Sequence, residues 1–290
     1  MTVIKEPKKW YVKLFTLGKK FSSQTFSENY FNMKKVFLVT LLFFLSNSYS
    51  QDFSLYESQI FIFKDDTLNY RILKPLNYNP AKQYPVHLVL HGSGERGRDN
   101  TAQLTHGGKL FLKKENRENY NSWVIFPQCG ENDRWPSLKS DTWDENFKGK
   151  MKKPNKSLAL VILFMDTFIE KKQVDKKRIY LSGLSMGGMG TFELLYRRPN
   201  MFAAATPICG NGSTKFVDRY AKKVPLWIFH GSDDKVVNPK HSLNMANAII
   251  QSGGSPKMTL YENTAHGSWH NAFEEINFLK WIHSKSILIH

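Results

Sequence analysis

KKRIYLSGLSMGGMGTFELLYRRP, residues 176–199, decides the fold. Ile179, Tyr180 and Leu181 read as a buried strand, whereas Met189, Phe192, Leu195 and Tyr196 recur at helical spacing. Ser185 stands at the joint, flanked by Gly183 and Gly187 in the pattern G-x-S-x-G. A nucleophile on a sharp strand-to-helix turn needs an unusual backbone angle and neighbours without side chains, and this spelling supplies both. The helix that follows aims its free N–H groups at the reaction centre. A glycine-rich helix entry packed closely on a sheet would also produce these letters. It would not account for the loops elsewhere in the chain.

Outward from this joint, strands and helices alternate. Residues 56–64 and 68–76 read as two strands around an Asp65-Asp66 turn, an antiparallel start. Further strands are expected at 86–92, 122–128, 178–183, 203–210, 225–231 and 257–263. Helices are expected at 100–112, 157–171, 186–198, 213–223, 239–251 and 272–284. Strands separated by helices imply an α/β architecture: a mainly parallel sheet of about eight strands covered on both faces. In such a sheet the loops at the carboxyl ends of the strands carry the ligand site. The glycine-rich and charged stretches His91–Gly97, Cys129–Trp135, Ser182–Gly188, Cys209–Gly212, His230–Val237 and Asn263–His270 mostly follow strands, so chemistry converges on one edge.

A serine hydroxyl needs a base, and the base needs an orienting carboxylate. In this architecture the order along the chain is serine, acid, histidine. HGSDDKVV (230–237) offers Asp233 and Asp234, of which one is a turn residue. NTAHGSWHNAF (263–273) offers His266 on the loop proper and His270 at the start of the closing helix, which favours His266. A carbonyl under attack also needs donors for the developing oxyanion. The N–H of Met186 is one; Ser93 or Gly94 in HGSGERGRDN (91–100) supplies the other. That stretch lacks the G-K-[ST] ending and glycine spacing of a phosphate-binding loop.

The first 50 residues stand apart. From Met33, MKKVFLVTLLFFLSNSYSQ has a basic start, an apolar run from Val36 to Leu45, and Ser48 and Ser50 placed for cleavage before Gln51. Residues 33–50 are expected to be a signal peptide exporting the protein to a periplasmic or extracellular location, since the apolar run is about half of what spans a bilayer. Residues 1–32 would be a dispensable or non-native extension, and 51–290 one catalytic domain. The whole chain carries a net charge of +16; without the eight Lys/Arg and two Glu of residues 1–50 it is +10. Its lysines are scattered, and the dense run KGKMKKPNK (148–156) has no recognition-helix pattern or interleaved aromatics, so nucleic acid is not an expected partner. Cys129 and Cys209 are too few for a disulfide framework. They end strands about three sheet spacings apart, roughly 14 Å, and free buried thiols are expected.

Taken together, the chain resembles the α/β-hydrolase superfamily. The likeness is greatest to its secreted esterases and "predicted peptidases" related to polyhydroxybutyrate depolymerases, feruloyl esterases and dienelactone hydrolases. LHGSGERGRDN, PQCGENDRW, GLSMGGMGTF, PICGNG, FHGSDDKVV and YENTAHGSWHNAF carry the resemblance across residues 55–285. The family's H-G-x-x-D-x-V-V loop implies Asp234 as the catalytic acid, and its Y-x-x-x-x-H-x-x-W loop implies His266 as the base. PQCGEN departs from the family, which often has proline after the cysteine; this touches loop shape only.

These readings imply acyl transfer to water through Ser185, His266 and Asp234, with no cofactor and no metal. The substrate is expected to be a small-molecule or oligosaccharide ester. The long connection from Gly130 to Pro154 is polar with isolated indoles, Trp135 and Trp143, unlike an apolar lipid lid. Trp135 and Trp269 are the expected substrate-binding residues, because an indole stacks on a sugar or aryl face. A peptidase would share every residue named, and a non-catalytic binding module would have lost one of the three. No stable membrane span is expected, and the sequence does not give an oligomeric state.

Overall fold

The computed structural model describes residues 53–137 and 151–287. The expected signal peptide at 33–50, the extension at 1–32 and Trp143 lie outside the described residues. The described chain builds one eight-stranded sheet in the order β1-β2-β4-β3-β5-β6-β7-β8. The strands are β1 (Tyr56–Phe63), β2 (Asp66–Leu73), β3 (Tyr84–Leu90), β4 (Trp123–Pro127), β5 (Val174–Leu184), β6 (Ala204–Ile208), β7 (Trp227–Gly231) and β8 (Lys257–Tyr261). β1 and β2 form the antiparallel hairpin, β2 runs antiparallel to β4, and all other pairs are parallel.

Among the described residues, seven α-helices pack around it: α1 (Gly108–Leu112), α2 (Lys114–Asn119), α3 (Lys156–Phe168), α4 (Met186–Arg197), α5 (Lys240–Gln251), α6 (Trp269–Glu274) and α7 (Phe278–His283). Strand alternation distributes the core between the two faces. Leu88, Leu90 and Leu181 join Leu158, Phe164 and Phe192 from α3 and α4. Val89, Tyr180 and Leu184 join Phe111, Phe273, Phe278 and Ile282 from α1, α6 and α7 on the other side. Both layers are closed, as a parallel sheet requires.

Three expected helices differ from what forms. The 100–112 segment divides into a 3-10 turn at Ala102–Leu104 and α1, because Gly107 takes a left-handed φ of +87° between them. The 213–223 segment forms only a 3-10 helix at Thr214–Arg219. The closing helix breaks at Glu275, whose ψ of 121° is extended, giving α6 and α7. None of these breaks moves a strand, so the carboxyl edge of the sheet stays where the alternation places it. Among the described residues, no helix is long and apolar enough to cross a membrane.

Candidate active site

β5 delivers Ser185 and α4 begins one residue later. Ser185 adopts φ 51°, ψ −117°, a conformation sterically costly for a residue with a Cβ. Its neighbours explain the glycines. A Cβ on Gly183 would lie 2.2 Å from the Gly187 carbonyl oxygen, and one on Gly187 would lie 2.0 Å from that of Leu90. The Ser185 N–H donates to the Ile208 carbonyl at 2.9 Å, tying the turn to the end of β6. Ser185 is buried, its hydroxyl 2.9 Å from His266 Nε2.

His266 sits on the loop between β8 and α6, and its Nδ1 is 2.7 Å from Asp234 Oδ2. The Nδ1–H must therefore face the carboxylate, which leaves Nε2 to accept the serine proton. The other carboxylate oxygen, Asp234 Oδ1, accepts the N–H groups of Val236 and Val237 at 2.8 and 2.9 Å. Burial alone would raise the Asp234 pKa, but the hydrogen bonds from His266, Val237 and Val236 outweigh it and hold the carboxyl below the usual range. It stays ionised through mildly acidic pH. Of the sequence candidates, Asp234 and His266 are the ones brought together with Ser185: Asp233 is exposed and its Oδ1 takes the Ser232 hydroxyl, while His270 is exposed and its Nε2 accepts from Trp269 Nε1 at 3.1 Å.

Ser93 and Gly94 lie on a 3-10 turn, Ser93–Glu95, directly after β3. A Cβ on the preceding Gly92 would stand 3.7 Å from the Ser185 Cβ, so this turn borders the nucleophile. Met186 opens α4, where backbone N–H groups have no partner inside the helix. The turn is braced from behind by His91. Its Nε2 accepts the Cys129 N–H at 2.9 Å, so its proton is on Nδ1 and is donated to the Gly92 carbonyl. Burial drives the His91 pKa down to about 4, keeping that tautomer neutral.

The two expected substrate-binding tryptophans part company. Trp269 is half-buried, with its ring 5.3 Å from that of His266 and 5.0 Å from that of His106. Trp135 is fully buried. Its Nε1 donates to the His91 carbonyl at 3.0 Å and its ring packs against the His91 imidazole, so it wedges the loop after β3 and offers no face to a ligand. Sequence reasoning also passed over His230. It lies fully buried at the end of β7, with Nε2 3.2 Å from Asp234 Oδ2. The H-G spelling four residues ahead of the acid was the available signal.

The one group of potential metal ligands among the described residues is Cys209, Asp234 and His266, whose ligand atoms lie within 4.8 Å of one another. It does not fit a resident ion. Asp234 Oδ2 and His266 Nδ1 already share a hydrogen bond, and burial pushes the Cys209 thiol up to about 12, so no thiolate is on offer. Both cysteines are free and buried. What the site holds is a hydroxyl, an imidazole and a carboxylate in series, an arrangement suited to acyl transfer.

A family model described as phospholipase/carboxylesterase matches residues 80–283. The chain belongs to this family. Among related proteins, a bifunctional acetylxylan esterase/xylanase of Neocallimastix patriciarum is 30% identical over 160 residues, 55% of this chain and 21% of that one. Acetylxylan esterase A of Emericella nidulans is 25% identical over 215 residues, 72% of this chain and 65% of that one. The crystal structure of a thermostable esterase matches with a TM-score of 0.72 at 31% identity, over 80% of this chain and 64% of that one. The chain therefore spans less than two thirds of each of these relatives. Its fold is that of the α/β-hydrolases, as the eight-stranded sheet and the structural match agree. Within this phospholipase/carboxylesterase member, the elbow after β5, the acid loop after β7 and the histidine loop after β8 occur in the order the fold requires.

Proposed function

We propose that this protein is a serine hydrolase that cleaves carboxylic esters. The observation that carries the reading is the continuous series Ser185 Oγ, His266 Nε2 and Nδ1, Asp234 Oδ2, at 2.9 and 2.7 Å, built on a strained serine. His266 takes the Ser185 proton as the hydroxyl attacks the ester carbonyl, and Asp234 holds and stabilises the imidazolium. Met186 and Ser93 or Gly94 donate backbone N–H groups to the oxyanion. His266 returns the proton to the leaving alcohol; water then attacks the acyl-enzyme by the same route reversed.

The substrate class we propose is a polar, short-acyl or aryl ester, an acetylated carbohydrate foremost. Two relatives named as acetylxylan esterases support this, as does the half-buried Trp269 beside His266, an indole positioned to pack against a sugar ring. We further propose export by residues 33–50, on their basic, apolar and small-residue pattern. N-terminal sequencing of protein recovered from the natural source should then begin at Gln51; finding peptides from residues 1–32 would refute it.

Hydrolysis of p-nitrophenyl acetate by residues 51–290 tests the enzymatic reading. Turnover should fall at least ~10⁴-fold in Ser185→Ala. Undiminished turnover in that variant would remove Ser185 from the mechanism, and release of acetate from acetylated xylo-oligosaccharides tests the substrate class separately.

A further inference from the structure

Asp234 has a second histidine partner. His230 and Asp234 side chains are both fully buried, whereas the His266 side chain retains 20% of its exposure. His230 Nε2 faces two acceptors, the Val237 carbonyl at 2.8 Å and Asp234 Oδ2 at 3.2 Å. A bare ring nitrogen between two oxygens would be repelled by both, so Nε2 carries the proton. On the far side, Nδ1 lies 2.7 Å from the hydroxyl of Ser242, near the start of α5. Burial lowers the His230 pKa, against the raising influence of the Val237 carbonyl and Asp234, so the ring has one proton and Nδ1 accepts from Ser242. Ser242 Oγ also approaches the Gly210 carbonyl at 3.2 Å, but its single proton goes to the nearer nitrogen.

The result is one directed series: Ser242 hydroxyl to His230, the single His230 Nε2–H shared between the nearer Val237 carbonyl and Asp234 Oδ2, Asp234 from His266, His266 from Ser185. Both histidines meet the same carboxylate oxygen, Oδ2, while the two loop amides occupy Oδ1. A carboxylate with all its lone-pair directions engaged has no freedom to rotate. The charged or titratable groups around the His230 ring are Asp234 and His266, from the loops after β7 and β8. Asp234 is also faced by Cys209 at the end of β6, neutral with its thiol pushed up to about 12.

We propose that His230 is a positioning residue for the reaction: through its Nε2–H it fixes the Asp234 carboxylate in the plane His266 needs and limits how strongly that carboxylate attracts the imidazolium. The proposal rests on the reading of Ser185, His266 and Asp234 given above. A purely structural role, closing the loop through Val237, is the competing account, and the experiment separates the two.

His230→Gln, His230→Asn and His230→Leu are compared on p-nitrophenyl acetate, with rates normalised to active sites titrated by a serine-directed phosphonate. The Gln amide reaches the place of Nε2, the Asn amide only that of Nδ1. Asn and Leu should lose about 10- to 100-fold in kcat with KM within about twofold, and Gln should stay within about fivefold of the parent. The acid limb of kcat/KM should also move to higher pH in Asn and Leu, because an Asp234 with one donor fewer holds the imidazolium more tightly. Should Leu fail to fold, Ser242→Ala, which frees the ring at Nδ1, should move kcat and the limb in the same direction by a smaller factor. Unchanged kcat and limb per titrated site in Asn and Ser242→Ala would overturn the proposal, as would equal losses in Gln and Asn. Failure of the underlying reading looks different: Ser185→Ala would retain turnover whatever stands at 230.

Discussion

At the scale of single residues, adjacent aspartates separate the roles of carrying and turning. Asp234 is buried and receives His266 and two loop amides, whereas the neighbouring carboxylate points to solvent. Asp234→Asn should therefore cost roughly 10³- to 10⁴-fold in kcat, since an amide in that place can present an N–H to Nδ1 and favour the wrong imidazole tautomer. Asp233→Asn should leave kcat within about twofold; parallel steady-state assays with p-nitrophenyl acetate decide the matter, and reversed effects would move the acid to Asp233. The thiols make an equally direct case. Burial first, above every other influence, pushes both Cys129 and Cys209 up to about 12. Native protein should be inert to a thiol-exchange reagent at pH 8, and unfolding in guanidinium without reductant should release two thiols; release of none would mean a disulfide. The serine and histidine were legible because their chemistry dictates glycine spacing and loop position. Trp135 was not, since an indole in a post-strand loop has the same spelling whether it faces a cleft or, as here, wedges under His91.

Elements were legible wherever burial on two faces forces a long apolar pattern, and less so where a short segment is held by its neighbours. β3 and β4 are nearly continuous apolar runs and formed within two residues of where the pattern puts them, whereas β5 is continuously buried only from Ile179 onward and extends back to Val174 through a charged stretch that the pattern leaves out. The division of the expected 100–112 helix falls at a position in tertiary contact. Gly107 takes its left-handed angle where a Cβ would come within 3.0 Å of the Phe273 ring, a contact 166 positions along the chain that local periodicity cannot express. The same sensitivity applies at the β5–α4 joint. Gly187→Ala would drive a Cβ to 2.0 Å from the Leu90 carbonyl oxygen, backbone against backbone, with no side chain able to yield. It should destabilise the fold by about 3 kcal/mol or more and separate α4 from β3. Urea denaturation followed by tryptophan fluorescence measures this; a midpoint unchanged from the parent would show that the close approach is relaxed in solution.

For the molecule as a whole, the neutral histidines whose pKa is lowered by desolvation set the response to acid. His87, His91, His230 and His283 are each lowered by burial, His91 to about 4 and His283 to about 3. The unfolded chain binds a proton at each near the ordinary imidazole value of about 6.5, while the folded chain takes it up only at lower pH. Stability is therefore full above that value and falls as pH drops, by roughly 1.4 kcal/mol per pH unit for each such group between its two pKa values. Asp234 adds a later loss, because its carboxyl is held below the usual range and its contribution disappears only as pH falls through the folded value. The urea midpoint should decline steeply from pH 7 to pH 5. His283→Phe isolates one contributor: the ring lies among Tyr180, Tyr120 and His87, and its Nε2 is buried with no partner. Replacing an unpaired buried nitrogen by carbon should leave stability at pH 7.5 within about 1 kcal/mol of the parent. The variant's midpoint should then fall less between pH 7 and pH 5. Because both proteins carry the same remaining charges, general repulsion among the basic groups cancels in the comparison, and identical slopes would mean that His283 takes up its proton without leaving the core.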